Sequence, residues 1–145
     1  MATVHEVLSE KGACVHTVDA RISVLECTQL MNEHKIGAVV VTEEGRVAGI
    51  FTERDVLARI VAPQRSPADT TVGEVMTREV ICVEPDTDLD EVGAIMKSRR
   101  IRHLPVCGSG GQLLGLVSIG DINAHYASNQ QQTIHFLSDY IYGRV

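Results

Sequence analysis

Two aspartates stand three residues after a hydroxyl side chain in matching surroundings. Gly49-Ile-Phe-Thr52-Glu-Arg-Asp55 returns 66 positions later as Gly115-Leu-Val-Ser118-Ile-Gly-Asp121. At the start of a helix this spacing makes a capping box. The hydroxyl accepts from a first-turn N–H, and the acid reaches back to the N–H of the hydroxyl residue. A helix start also carries free N–H groups and the positive end of the helix dipole, which suits phosphate. An aspartate there is an acceptor-only carboxylate at neutral pH, placed to take both hydrogens of a ribose diol. Capping explains the hydroxyl and the acid but leaves the glycine, the apolar pair and the duplication unexplained. The nucleotide reading adds Ile36-Gly-Ala-Val as a flat wall, with Gly37 admitting a base close to the backbone.

Other chemistries find no support. The six histidines show neither H-E-x-x-H nor tight Cys/His spacing, and there is no G-x-S-x-G elbow and no Walker loop. Cys14, Cys27, Cys82 and Cys107 lie far apart without a C-x-x-C pair, so all four read as buried small residues. The expectation is a protein that is not an enzyme and has no catalytic cofactor or metal. A formal charge of −6 argues against nucleic acid. One basic cluster, Lys97-Ser-Arg99-Arg100-Ile-Arg102-His103, either meets a phosphate or complements a helix C-terminus. Arg54 is a second phosphate candidate, and its counterpart is Gly120. The longest apolar run, Ile36 to Val41, is far short of the roughly 20 residues of a membrane helix. The N-terminus has no basic patch or apolar core of a secretory signal. These features predict a cytoplasmic protein with no membrane partner.

The elements that position the motifs also come twice. A short strand is expected near Thr17-Val18, then a helix capped by Asp19 or Ser23 with Val24, Cys27, Leu30 and Met31 on one face. A buried strand at Ile36–Val41, a turn at Glu43–Arg46, a returning strand at Val47–Phe51 and a helix from Thr52 to about Ala62 follow. After a polar, proline-bearing linker at 63–71 the order repeats. Val83, Leu89, Val92, Ile95, Met96, Ile101 and Val106 match Val18, Val24, Cys27, Leu30, Met31, Ile36 and Val41 at an offset of 65. Val72-Gly-Glu-Val-Met76-Thr77 matches Val4-His-Glu-Val-Leu8-Ser9 at an offset of 68. The expected fold is α+β: two βαββα repeats, 1–62 and 72–127, related by a pseudo-two-fold axis, with a C-terminal amphipathic helix in 128–145. Ile134, Leu137 and Ile141 lie at helical spacing in that tail, with Gly143 as a C-cap. The tail reads as a helix docking on its own domain or as an aromatic interface.

This tandem, Ile-Gly-Ala-Val-Val-Val before the first motif and Ile-Arg-His-Leu-Pro-Val before the second, resembles a pair of CBS (cystathionine β-synthase) domains over about 4–127. The resemblance implies a stand-alone Bateman module: a regulatory homodimer binding AMP, ADP, ATP, NAD or S-adenosylmethionine between the repeats and signalling to an unknown protein. It implies that Asp55 and Asp121 hold ribose and that Thr52 and Ser118 hold ribose or phosphate. Ile36, Gly37 and Ala38, and Arg102, His103 and Leu104, match the segments that read the base edge. Thr17 and Val18, with Ile81 and Cys82, match the strand closing each cleft. Unequal residues in the two halves, with Pro105 for Val40 among them, predict unequal clefts. The alternative function is a ligand-indifferent dimerisation scaffold, in which the motifs are only caps.

Overall fold

Ser23 and Asp88, 65 positions apart, each start an eleven-residue helix. The fold is that of a computed structural model describing residues 2–12 and 15–142, with side chains described through residue 131 and at residue 134. Ser23 accepts from the Glu26 N–H ahead of α2 (Val24–His34), and Asp88 accepts from the Asp90 N–H ahead of α5 (Leu89–Arg99). Both helices end on a left-handed residue, Lys35 and Arg100, each at φ 55°. The buried faces are Val24, Cys27 and Met31 in one and Leu89, Val92 and Met96 in the other.

Each helix feeds an antiparallel hairpin. β2 (Ala38–Glu43) pairs with β3 (Arg46–Thr52), and β4 (His103–Cys107) with β5 (Leu113–Ser118). Both hairpins slip register at equivalent places, Val41/Thr42 and Val106/Cys107. The residues at 38–41 are all buried, as an unbroken valine run requires. Glu44 and Gly45 turn the first hairpin with positive φ at both positions.

The halves differ at their first strand. β1 (Thr17–Asp19) pairs with β2 in parallel, whereas the matching segment makes only an isolated bridge between Val83 and Val106. The expected second-half strand does not form, and Pro105 is the reason. In the first half the Val40 N–H donates to the His16 carbonyl at 3.2 Å. Proline at the equivalent position has no N–H, so that ladder bond is lost.

Two helices stand outside the expected βαββα order, one at the start of each repeat. α1 (Val4–Lys11) sends Val4, Val7 and Leu8 into the second-half core with Leu89, Val92, Leu104 and Val117. α4 (Val72–Val75) sends Val72, Val75 and, just beyond it, Met76 into the first-half core with Val24, Met31, Val39 and Phe51. Each core is thus completed by the helix preceding the other repeat. This crossing supplies a reason for the two motif glycines. A Cβ on Gly49 would stand 2.6 Å from the Thr77 carbonyl oxygen, and one on Gly115 would stand 2.9 Å from a Leu8 methyl.

The linker is not loose. Pro67 and Thr70 accept from the Leu25 and Val24 N–H groups, which have no partner inside α2. The helix expected from Thr52 to Ala62 is divided into α3 (Glu53–Val56) and a π-helical stretch, Leu57–Val61. The Ala62 N–H reaches five residues back to Leu57 at 2.9 Å. The wider turn buries Ile60 while the Arg59 guanidinium donates to the Val75 and Met76 carbonyls at the end of α4. At the C-terminus α6 runs unbroken from Ile119 to Tyr142, so the last helix of the second repeat and the tail are one element. Ala127–Gln131 and Ile134 on it are exposed. The Gly143 cap, the Cys14 assignment and the side chains of Leu137 and Ile141 lie outside the described residues. Within them no helix is long and apolar enough to cross a membrane.

Candidate functional site

The Thr52–Asp55 capping box forms at the start of α3. The Thr52 N–H donates to Asp55 Oδ2 at 3.0 Å and the Asp55 N–H donates to Thr52 Oγ1 at 3.3 Å. The aspartate is buried, 6% exposed, and its other oxygen accepts the Thr77 hydroxyl at 3.1 Å. Arg59 Nε stands 3.6 Å from that oxygen. A carboxylate has about four acceptor positions. The Thr52 hydroxyl also donates to Oδ2 at 3.3 Å, so three hydrogen bonds are already made and Asp55 retains room for one further donor rather than for both hydrogens of a diol.

The second box matches it in outline. The Ser118 N–H donates to Asp121 Oδ2 at 2.8 Å, and the Asp121 N–H donates to Ser118 Oγ at 3.0 Å. The third partner differs. Where Thr77 serves Asp55 by its hydroxyl and pairs its backbone with Ile50, the second half uses Lys11 from the end of α1. Its Nζ donates to Asp121 Oδ2 at 2.7 Å and to the Leu116 carbonyl at 2.8 Å. Burial pushes the Asp121 carboxyl up, but the Lys11 hydrogen bond and charge, with the Ser118 amide and hydroxyl, outweigh it. The net pKa lies below the usual carboxylate range.

A cavity of about 380 Å³ opens at the first box. It brings together Gly37, Thr52, Arg54, Asp55, Ile81, Arg102, His103 and Leu104 from the sequence candidates. It adds Thr77, Glu79 and Val80 from the segment after α4, and Arg100 and Pro105 around β4. The walls therefore come from both repeats. Arg54 lines the cavity and donates to the Arg100 carbonyl at 3.0 Å. The space above Gly37 is taken by the Glu53 carboxylate, which a Cβ there would meet at 3.3 Å. Burial drives the His103 pKa down, with the charges of Lys11 and Arg102 acting the same way and those of Asp121 and Glu53 opposing.

The remaining candidates lie elsewhere. Val18 and Ala38 are buried, Ile36 packs on the first core, and Thr17 and Cys82 line a separate groove between the hairpin ends. Ser118 and Asp121 do not line the 380 Å³ cavity. Sequence reasoning missed Thr77, whose only signal was a hydroxyl, Ser9, at the equivalent place in the first half. It also missed Lys11, for which the repeat gives no signal. Cys82 corrects the reading of all four cysteines as buried. It is exposed, as is its first-half counterpart Thr17 within β1, and Cys107 beside it is buried.

The CBS domain family model matches residues 13–62 and 72–128. The CBS domain-containing protein CBSX3, mitochondrial, of Arabidopsis thaliana is 35% identical over 97% of this chain and 72% of its own. A solved protein with CBS domains from Burkholderia ambifaria MC40-6 is 40% identical, with a TM-score of 0.85 over 89% of this chain and 96% of that one. The CBS domain pair of protein MJ0100, solved with 5′-methylthioadenosine and S-adenosyl-L-methionine, is 25% identical. Its TM-score is 0.78 over 89% of this chain and 98% of that one.

Proposed function

The chain belongs to the CBS domain family, in two tandem copies, and from that premise we propose that it is a regulatory module binding an adenosine compound in the cavity at Asp55. The carrying observation is one cavity that joins the helix-start motif of the first repeat to β4 and its arginines in the second. Asp55 takes one ribose hydroxyl. Arg54, Arg100 and Arg102 meet the phosphate or carboxylate end, and Ile81, Leu104 and Pro105 flank the base. The MJ0100 pair, crystallised with two adenosine ligands, supports this ligand class. AMP, ADP, ATP, NAD and S-adenosylmethionine all fit the class.

The clefts are unequal in this reading, because the aspartate of the second is neutralised by Lys11. Ligand binding shifts how the two repeats sit on one another, and a cytoplasmic partner protein reads that shift. The shift is bounded by the ligand's differential affinity for the two arrangements. The module is a homodimer through its helices. Leu57 and Val61, 64% and 59% exposed and one turn apart, support such a face.

A thermal-shift panel tests the proposal. AMP, ADP, ATP, NAD, S-adenosylmethionine and GMP are each added to wild type, Asp55→Ala and Asp121→Ala. A ligand at a hundred times its dissociation constant stabilises by roughly 2.7 kcal/mol. The expected result is a rise with at least one adenosine ligand but not GMP, lost in Asp55→Ala and kept in Asp121→Ala. No rise with any ligand would instead support the scaffold reading.

A further inference from the structure

Cys82 and Cys107 are 25 residues apart in sequence, and their sulfurs lie 2.8 Å apart, with the Cys107 S–H donating to Cys82 Sγ. We infer that they are a redox pair, closed to an intramolecular disulfide by low-molecular-weight disulfides of the glutathione type. The disulfide ties the segment before α5 to β4.

Three features place the pair for this chemistry. The backbone holds the two residues side by side: the Val83 N–H donates to Pro105 at 3.0 Å and the Cys107 N–H donates to Val83 at 2.9 Å. A disulfide S–S bond is about 2.05 Å long, so closure needs a movement of less than about an ångström. Both residues line a groove of about 1160 Å³ between the hairpin ends, which also carries Arg46 and Arg78. The Arg46 guanidinium suits a carboxylate of a glutathione disulfide, while Arg78 is held by Glu43 and the Gly73 carbonyl.

The roles of the two thiols follow from their settings. Cys82 is exposed and accepts a hydrogen bond at sulfur, so it is the attacking group. Burial first, and the Cys82 contact second, push the Cys107 thiol up to about 12, so Cys107 resolves. The Cys82 thiolate attacks one sulfur of the small disulfide and expels one small thiol, which carries away the Cys82 proton. The Cys107 sulfur then attacks Cys82 Sγ in the mixed disulfide and expels the second thiol, to which the Cys107 proton passes. Two S–H bonds and one S–S bond are broken and the same numbers are formed. Two electrons pass from the protein to the small disulfide.

The consequence reaches the cavity. Val80 and Ile81 precede Cys82 and line it, as do His103, Leu104 and Pro105 on the strand that ends at Cys107. Pro105 leaves that segment with a single bridge to β4, and the disulfide supplies the missing tether. This coupling rests on the nucleotide reading; the disulfide itself does not.

The test incubates the reduced full chain with oxidised glutathione, alkylates remaining thiols, and reads intact mass and peptide maps. Wild type is expected to lose two hydrogens and give a linked Cys82–Cys107 peptide without a lasting glutathione adduct. Cys107→Ser should hold one glutathione on Cys82, and Cys82→Ser should leave Cys107 unmodified. A lasting adduct on wild-type Cys82, a link through Cys14 or Cys27, or full alkylation of both thiols overturns the pair. Calorimetry with AMP on oxidised and reduced wild type should then show a several-fold change in affinity that Cys82→Ser lacks. Equal affinity overturns the coupling. If AMP binds neither form, the same comparison is made with whichever of ADP, ATP, NAD and S-adenosylmethionine gives the thermal shift; binding of none of the five counts against the nucleotide reading and leaves the mass result to decide the disulfide.

Discussion

Asp121 and His103 are both held below their ordinary values, the first by a partner and the second by burial, and Lys11 acts on both. Asp121 is held below its ordinary value by a partner, so its contribution to stability is present above about pH 3.8 and is lost as pH falls through its folded value. His103 is depressed from 6.5, first by burial, so the folded protein resists its protonation. Between the folded and unfolded pKa values the unfolded chain binds more protons, and stability therefore falls as pH drops below about 6.5. Above 6.5 the group contributes no slope. His103→Gln should flatten the dependence of urea-unfolding free energy on pH between 7 and 5 relative to wild type, while the loss near the Asp121 range stays. An unchanged slope between 7 and 5 would assign the dependence to other groups. At this scale the sequence disclosed what local spacing determines. The two capping boxes were legible because their partners are three residues apart. Lys11–Asp121 and Cys82–Cys107, separated by 110 and 25 residues, were not, since only the completed fold brings them together.

Among the elements, the motif glycines are set by the helices that cross from one repeat to the other. At Gly49 the obstruction is backbone, the Thr77 carbonyl held in a bridge with Ile50 at 3.0 and 2.9 Å. At Gly115 it is the far end of the Leu8 side chain, which has rotamers to use. Gly49→Ala should therefore cost about 1–3 kcal/mol, in the range of overpacked cores, and Gly115→Ala clearly less. Paired urea titrations read the difference, and equal costs would mean that the Thr77 segment yields as readily as Leu8. The helices, hairpins and buried strand were legible because the apolar pattern is written twice at a fixed offset. The second-half strand was expected from that same pattern and fails for want of one N–H, at Pro105. The division at Leu57 was hidden because Ile60 fits the core only on the wider π turn, which apolar spacing does not encode. α1 and α4 were visible as a repeated Val-x-Glu-Val segment, but the direction in which each packs was not.

That direction decides how the whole molecule folds. The first-half core loses Val72, Val75 and Met76 if the chain stops before α4, and the second-half core loses Val4, Val7 and Leu8 without α1. Each such side chain contributes roughly 1.5–3 kcal/mol when fully buried. Three of them match most of a domain's net stability of about 5–15 kcal/mol. Half a chain of this length also buries a smaller share of its surface than the whole. Residues 1–71 alone should therefore give a coil-like far-UV circular dichroism spectrum and no cooperative melt. The full chain should unfold in one transition, with tyrosine fluorescence, which reports the second half, and alkylation of Cys27 in the first half sharing a midpoint. Mixing 1–71 with 72–145 should restore helical signal, because each fragment carries the helix the other core lacks. A cooperative melt from 1–71 by itself would mean that the first core closes without α4, and the crossing helices would then be a docking contact between two independently folded repeats. In the cooperative case the ligand proposed between the repeats would stabilise both at once.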